Sequence, residues 1–305
     1  MITFETFDKY KYVNDVIVTD SLISSLYGIT GDNVYILPRG ERAKSQYHFF
    51  KLAKWMVERN VSKQSRVIAV GGGSVGDLAG FVASVYKRGI AVVNVPTTLL
   101  SMVDSAIGGK TAIDMCGVKN VLGSFIQCDT VIDVNFLKTL PKRQFDYAMG
   151  EVLKYRMLSA EIDQINGSVV DYVKPCALYK ESVVAQDRLD AGVRRTLNLG
   201  HTVGHALELQ YNLAHGKAVT WGLKYELDIA FSLGYASAEY RSKWQKNLVG
   251  KCPEITEETL RLMKFDKKNL DDKVVFVLPC DNHATKFFAT NDLEGLFAEV
   301  KKCLR

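Results

Sequence analysis

Cysteine is present but never in the arrangement that a metal finger needs. Cys116, Cys128, Cys176, Cys252, Cys280 and Cys303 are scattered without a CxxC pair. In a chain of 305 residues they read as reduced thiols, not as a disulfide frame. No run of five or more Lys and Arg concentrates the net charge of +5, and no RNP-like motif occurs, so nucleic acid is not an expected partner. Apolar residues never run to the eighteen or so that a membrane span requires. The opening stretch "MITFETFDKYKYVND" carries acidic residues where a signal peptide has a basic and then an apolar segment. Internal repeats and low-complexity tracts are absent as well. The expectation is a soluble, cytoplasmic protein without a membrane partner.

What remains is ordinary globular composition, 47% hydrophobic and 24% charged, in a chain long enough for two domains. The first half alternates short β-branched runs, "VIVTD" (16–20), "VYIL" (34–37), "VIAV" (67–70), "AVVNV" (91–95) and "TVIDV" (130–134), with amphipathic stretches such as "YHFFKLAKWMVERN". That alternation predicts an α/β domain on a parallel sheet. From about Gln144 to Met263 the period is helical. The reading is α/β + α, with a Rossmann-like domain over 1–140 and a mostly helical domain over 141–305. A last strand, Lys273 to Pro279, and a last helix, "NDLEGLFAEVKKCL", close the chain.

In "VIAVGGGSVGDLAGF" an apolar strand runs into three glycines, and a helix is expected to open at Asp77. Glycines at a strand-to-helix turn let backbone amides approach a phosphate, and the helix N-terminus adds partial positive charge. Asp20, at a strand's carboxyl end, suits a ribose hydroxyl, although Asp also starts turns there. "PTTLLSMVDSAIGGKTAID" follows the strand "AVVNV", so Asp104, Lys110, Lys119 and Asn120 belong to the same rim.

Histidine is scarce, five in all, yet His201, His205 and His215 fall within fifteen residues, in "LGHTVGHALE" and "AHGKAV". His201 and His205 share a helix face, and Glu151 in "MGEVLKY" is a plausible carboxylate partner, with Lys154 one turn on. Spacing leaves open which histidine stays off a metal. Asp190, Arg194, Asn198 and His201 recur at four, four and three residues, which predicts one polar helix stripe lining a cleft, suited to phosphate and carboxylate groups.

Taken in order, "PRGERAKS", "GGGSVGDLAGFVASVYKRGI", "VPTTLLSMVDSAIGGKTAID", "GVKNVLGSF", "LKTLPKRQF", "GEVLKY", "RRTLNLGHTVGHALE" and "HGKAV" resemble the dehydroquinate synthase family of sugar-phosphate cyclases over roughly residues 16 to 225. Beyond that only a "DKK" at Asp266 to Lys268 matches. The resemblance implies an NAD-binding domain, a metal domain and an active site in the cleft between them. It assigns NAD to Asp20, Glu41, Lys44, Gly72, Gly73, Asp77, Thr97, Thr98, Lys119 and Thr139, and zinc (or cobalt) to Glu151, His201 and His215. It places a sugar phosphate against Asp104, Asn120, Lys180 and Arg88, the last reaching across a homodimer interface. Lys110, Lys154, Asp190, Arg194, Asn198 and His205 become the catalytic set.

The implied reaction makes 3-dehydroquinate and phosphate from a seven-carbon keto-acid sugar phosphate, as in the shikimate pathway. It proceeds by transient oxidation, phosphate elimination, reduction and aldol closure. The chain departs from the family's pattern at Asp190 (usually Glu), Arg188 and Leu189, Asp114 (often Asn) and Lys217 (usually acidic), and it reaches Asp20 early. These departures bear on substrate identity. The rivals are a cyclase for another sugar phosphate, a metal-dependent alcohol or glycerol dehydrogenase of similar fold, and a non-catalytic binding protein. Lys110, Lys154, Lys180 and Arg194 speak against the dehydrogenase, and the intact metal set speaks against the binding protein.

Overall fold

The structure, a computed structural model, describes residues 1–248, 250, 252–265 and 272–303, so the "DKK" at 266–268 lies outside the described residues. The elements follow in order: β1 (Ile2–Phe4), β2 (Val16–Asp20), α1 (Ser21–Tyr27), β3 (Val34–Leu37), α2 (Gln46–Glu58), β4 (Arg66–Gly71), α3 (Gly73–Val85), β5 (Ala91–Pro96), β6 (Lys110–Met115), β7 (Val118–Phe125) and β8 (Cys128–Ile132). Then come α4 (Lys142–Leu158), α5 (Ala160–Asp163), α6 (Val173–Gln186), α7 (His201–Tyr211), α8 (His215–Ser232), α9 (Ala238–Gln245), α10 (Glu257–Lys264), β9 (Val274–Pro279), β10 (Thr285–Thr290) and α11 (Leu293–Cys303). None of the described helices is long and apolar enough to cross a membrane.

The chain divides into two compact units, 1–144 with 168–189, and 145–167 with 190–305. The first is built on a six-stranded parallel sheet ordered β1-β8-β5-β4-β2-β3. Its inner strands are apolar on both faces, and every residue of β2 is buried, as a sheet covered on two sides requires. Leu52 and Met56 of α2 and Leu78, Ala79 and Val82 of α3 pack with Val16, Val18 and Val67 in one core. The expected strands all form. Four strands lack a sequence expectation: the edge strand β1 and the antiparallel pair β6–β7 here, and β10 in the second unit. That pair turns through Cys116 and Gly117, both at positive φ, as a two-residue hairpin loop demands.

The second unit is helical, with the antiparallel pair β9–β10 beside the helices. The sequence reading draws one break at 140, whereas residues 168–189 return to the first unit. Their helical period says nothing about the partner; the side chains decide it. Lys180 Nζ on α6 reaches Asp104 Oδ2 (3.0 Å) and the Asp104 carbonyl (2.7 Å), and Lys174 lies over the Phe4 ring.

Candidate active site

In the first unit, β4 ends at Gly71 and α3 opens at Gly73, one turn earlier than the expected start at Asp77. Gly72 occupies the cap position without a side-chain cap, and side chains are kept out of this turn by close neighbours. A Cβ on Gly72 would stand 3.2 Å from Thr98 Cγ2, and one on Gly73 3.2 Å from Ser105 Oγ. Helix dipole and backbone amides thus face a turn shaped for close approach by an anionic group. Gly72, Gly73, Asp77 and Lys110 line one small cavity with Asn94, Ser101 and Ser105.

Beside it, the buried Lys44 ammonium pairs with Asp77 Oδ2 (2.7 Å), donates to Asn120 Oδ1 (2.5 Å) and lies 3.8 Å from Glu41 Oε2. Burial would lower Lys44, but Asp77 and Glu41 outweigh it and raise it. Burial raises the Asp77 carboxyl, and Lys44 offsets only part of that. Asn120, expected against substrate, therefore joins the residues expected against NAD. Asp104 and Lys180 pair with each other, as above.

Asp20 does what Asp does at helix starts: its Oδ1 accepts from Leu22 N (2.9 Å) and Ile23 N (3.1 Å), capping α1. Thr97 is buried at the end of β5, and Thr98 Oγ1 meets Ser101 Oγ at 2.9 Å. Thr139 lies instead on a groove of about 600 Å³ lined by Tyr27, Phe136 and Lys138, where Tyr27 OH meets Thr139 Oγ1 at 2.6 Å. The sequence reading missed Tyr27 and Phe136; nothing local marks them, since helix α1 delivers one and the turn after β8 the other. Lys119 is exposed on β7, and Arg88 is exposed in a turn where Lys87, Arg88 and Gly89 all take positive φ.

The second unit answers the question that histidine spacing left open. Among the described residues, ligand atoms of Glu151, His201 and His215 lie within 4.8 Å of one another. Glu151, fully buried on α4, presents Oε1 to His215 Nε2 (3.0 Å) and His201 Nε2 (3.3 Å), while Oε2 pairs with Lys154. His205 stands alongside, its ring 5.3 Å from that of His201 and 6.0 Å from that of His215. The outer nitrogens are tied: His201 Nδ1 to the Leu199 carbonyl (3.0 Å), and His215 Nδ1 to Glu208 Oε2 (2.9 Å). With Nδ1–H donating outward, each Nε2 aims a lone pair at the same point as a carboxylate oxygen. Such a set is repulsive without positive charge among it, so the donors fit a divalent cation.

With no cation among these donors, the local electrostatics draw a proton onto an imidazole instead. Burial alone would raise the Glu151 carboxyl, but Lys154, His201 and His215 hold it well below the usual range. Burial would lower His215, and its hydrogen bonds to Glu151 and Glu208 raise it to about 10. Glu208, the partner of His215 Nδ1, is a candidate site residue absent from the sequence expectation. Its signal was present, seven residues before His215 on the helix that carries His201.

Glycines let these helices meet. A Cβ on Gly150 would enter the backbone at Gly216, and one on Gly216 would enter the backbone at Tyr147, so α4 and α8 touch main chain to main chain. The expected single helix through Asp190, Arg194, Asn198 and His201 is a correction. Asp190 has φ +61°, residues 193–198 form a 3-10 turn, Gly200 has φ +80°, and α7 begins only at His201. The left-handed Gly200 breaks the period, so the stripe becomes a bent lead-in, with Arg194 buried and Asn198 half-buried.

The fold thus joins a glycine turn at a helix start, in a parallel-sheet unit, with a buried Glu-His-His set in a helical unit. The family model described as 3-dehydroquinate synthase N-terminal matches residues 34–147, and that described as 3-dehydroquinate synthase C-terminal matches 129–269. A 3-dehydroquinate synthase of Alkaliphilus metalliredigens is 36% identical over 302 residues, covering 92% of this chain and 83% of the relative. The chain belongs to the 3-dehydroquinate synthase family.

Two solved structures share the fold. The first is 2-epi-5-epi-valiolone synthase from Streptomyces hygroscopicus subsp. jinggangensis with NAD+ and Zn2+ bound (TM-score 0.85, 21% identity, 100% and 96% of the two chains covered). The second is 2-deoxy-scyllo-inosose synthase with carbaglucose-6-phosphate, NAD+ and Co2+ (TM-score 0.81, 24% identity, 98% and 95% covered).

Proposed function

We propose that the chain is a 3-dehydroquinate synthase. It converts 3-deoxy-D-arabino-heptulosonate 7-phosphate to 3-dehydroquinate and inorganic phosphate, and works with NAD and a divalent cation, zinc or cobalt. The observation that carries the reading is the buried convergence of Glu151, His201 and His215 next to Lys154. Relatives at about a third identity over most of the chain carry the same name, whereas the cyclases for other sugars resemble it only in fold.

Glu151, His201 and His215 would hold the cation, and the glycine turn at Gly72 and Gly73 would hold the dinucleotide's phosphates. Glu41, Lys44, Asp77, Thr97, Thr98, Lys119 and Thr139 would hold the rest of the dinucleotide. When bound, the cation supplies Lewis acidity toward a substrate hydroxyl and NAD supplies reversible hydride acceptance. Asp20 spends Oδ1 on its helix cap, so a ribose contact falls to Oδ2. Lys110, Lys154, Lys180, Arg194 and Arg88 neutralise phosphate and carboxylate, and Asp104, Asp190, Asn120 and Asn198 orient the hydroxyls. His205 carries protons at its imidazole, since the cation's donor set leaves it out. A homodimer in the cytoplasm completes the reading; the Arg88 match is its support, and sedimentation checks it.

The test supplies the seven-carbon keto-acid sugar phosphate with catalytic NAD and zinc. Phosphate and 3-dehydroquinate are expected in equal amounts with no build-up of NADH, and His201→Ala is expected to be inactive. Accumulating NADH would point to a dehydrogenase. No phosphate release from a protein that binds both cofactors would point to a cyclase for another sugar phosphate.

A further inference from the structure

Glu226, on α8, is fully buried. Its carboxylate accepts three backbone N–H groups at the start of α7: Oε2 from Gly200 (2.5 Å), and Oε1 from Thr202 (3.1 Å) and Val203 (3.3 Å). These amides flank His201, the first residue of that helix, and His201 has no capping side chain before it because Gly200 stands there. The approach is possible because a Cβ on Gly222, one turn before Glu226, would enter the backbone at Gly200; only glycine lets the two helices close so far.

The counterpart on the other helix is Glu208 of α7, which holds His215 Nδ1 at the start of α8. Each helix therefore carries one imidazole donor and one carboxylate directed at the start of the other.

We infer that Glu226 is a positioning residue for the cation site, fixing the His201 imidazole through the backbone of residues 200–203 as Glu208 fixes His215 through its ring. The inference rests on the cation-site reading above. A displaced imidazole donor weakens a metal site even when all three donors remain, and loss of such outer contacts typically costs about ten- to hundred-fold in affinity.

The test titrates Co2+ into the full-length, chelator-stripped protein and follows its visible absorption in wild type, Glu226→Gln and Glu226→Ala. Glu226→Gln keeps the shape but turns an amide NH2 toward backbone donors. Both variants are expected to bind Co2+ about ten- to hundred-fold more weakly, with an altered band at saturation. Binding by the folded fraction within two-fold of wild type, with an unchanged band, would overturn the inference, because a merely structural brace alters folding without altering coordination.

Since the variants can lose folding outright, wild type supplies a second measurement. By reciprocity of coupling, saturating Co2+ is expected to slow hydrogen exchange at Gly200, Thr202 and Val203. Unchanged exchange overturns the inference. Wild type that binds no Co2+ overturns the cation-site reading together with this one, whereas binding insensitive to Glu226 overturns this one alone.

Discussion

The two units hold their functional groups by different means. In the first, the groups rest on turn geometry and side-chain pairs: glycines 72 and 73 at the head of α3, the buried Lys44 paired with the half-buried Asp77, and Lys110, Lys119 and Asn120 on a hairpin exposed over most of β7. In the second, a buried carboxylate faces two imidazoles whose outer nitrogens are already bonded, on helices that meet backbone to backbone. A nucleotide needs a wide, wettable cradle that it can leave, whereas a cation site gains affinity from donors that cannot move. The first unit should therefore lose affinity when altered, and the second should lose its fold or its metal.

The sharpest way to break that contrast is Gly216→Ala. Its methyl would enter the backbone at Tyr147, and the second unit is expected to lose about 3 kcal/mol or more, read as a fall in the urea midpoint. A stable Gly216→Ala protein would mean that the main-chain contact of α4 with α8 is not required. His201→Ala comes next. Phosphate release should fall by more than the roughly hundred-fold typical of an outer contact, because a donor itself is gone.

Glu208→Gln leaves all three donors and removes only the partner of His215 Nδ1, so about ten- to hundred-fold in cation affinity is expected, measured by chelator competition. In the first unit, Lys44→Met should raise the KM for NAD by about ten-fold with kcat nearly unchanged, the loss of one or two charge-assisted hydrogen bonds. If it instead unfolded the protein, the two units would not differ in the way described. Asp20→Ala should have the smallest effect, about 1 kcal/mol of stability from the lost cap of α1, read by thermal unfolding.

Much of this was legible before any coordinates. The strands of the parallel sheet announce themselves as β-branched runs because both of their faces are buried, and the change from strand to helix near residue 140 shows as a change of period. The hairpin β6–β7 was not read, because "KTAIDM" and "VKNVLGSF" are exposed over most of β7 and lack a clean apolar alternation. The polar stripe from Asp190 to His201 was read as one helix because periodicity does not see a left-handed glycine at 200. Tyr27 beside Thr139 was missed because the two are far apart in the chain and join only through side chains.

By itself the sequence determined the kinds of group available: glycines at a strand-to-helix turn, three histidines and a glutamate of metal-ligating type, and several lysines. These follow from residue type and short-range spacing, which the chain carries locally. Only the tertiary structure decided that Glu151, His201 and His215 converge with His205 alongside, that α6 returns to the first unit through Lys180 and Asp104, and that Glu208 and Glu226 accept hydrogen bonds at the starts of α8 and α7. Those outcomes depend on how closely backbones approach and which buried polar groups find partners, and contacts between distant parts of the chain settle both.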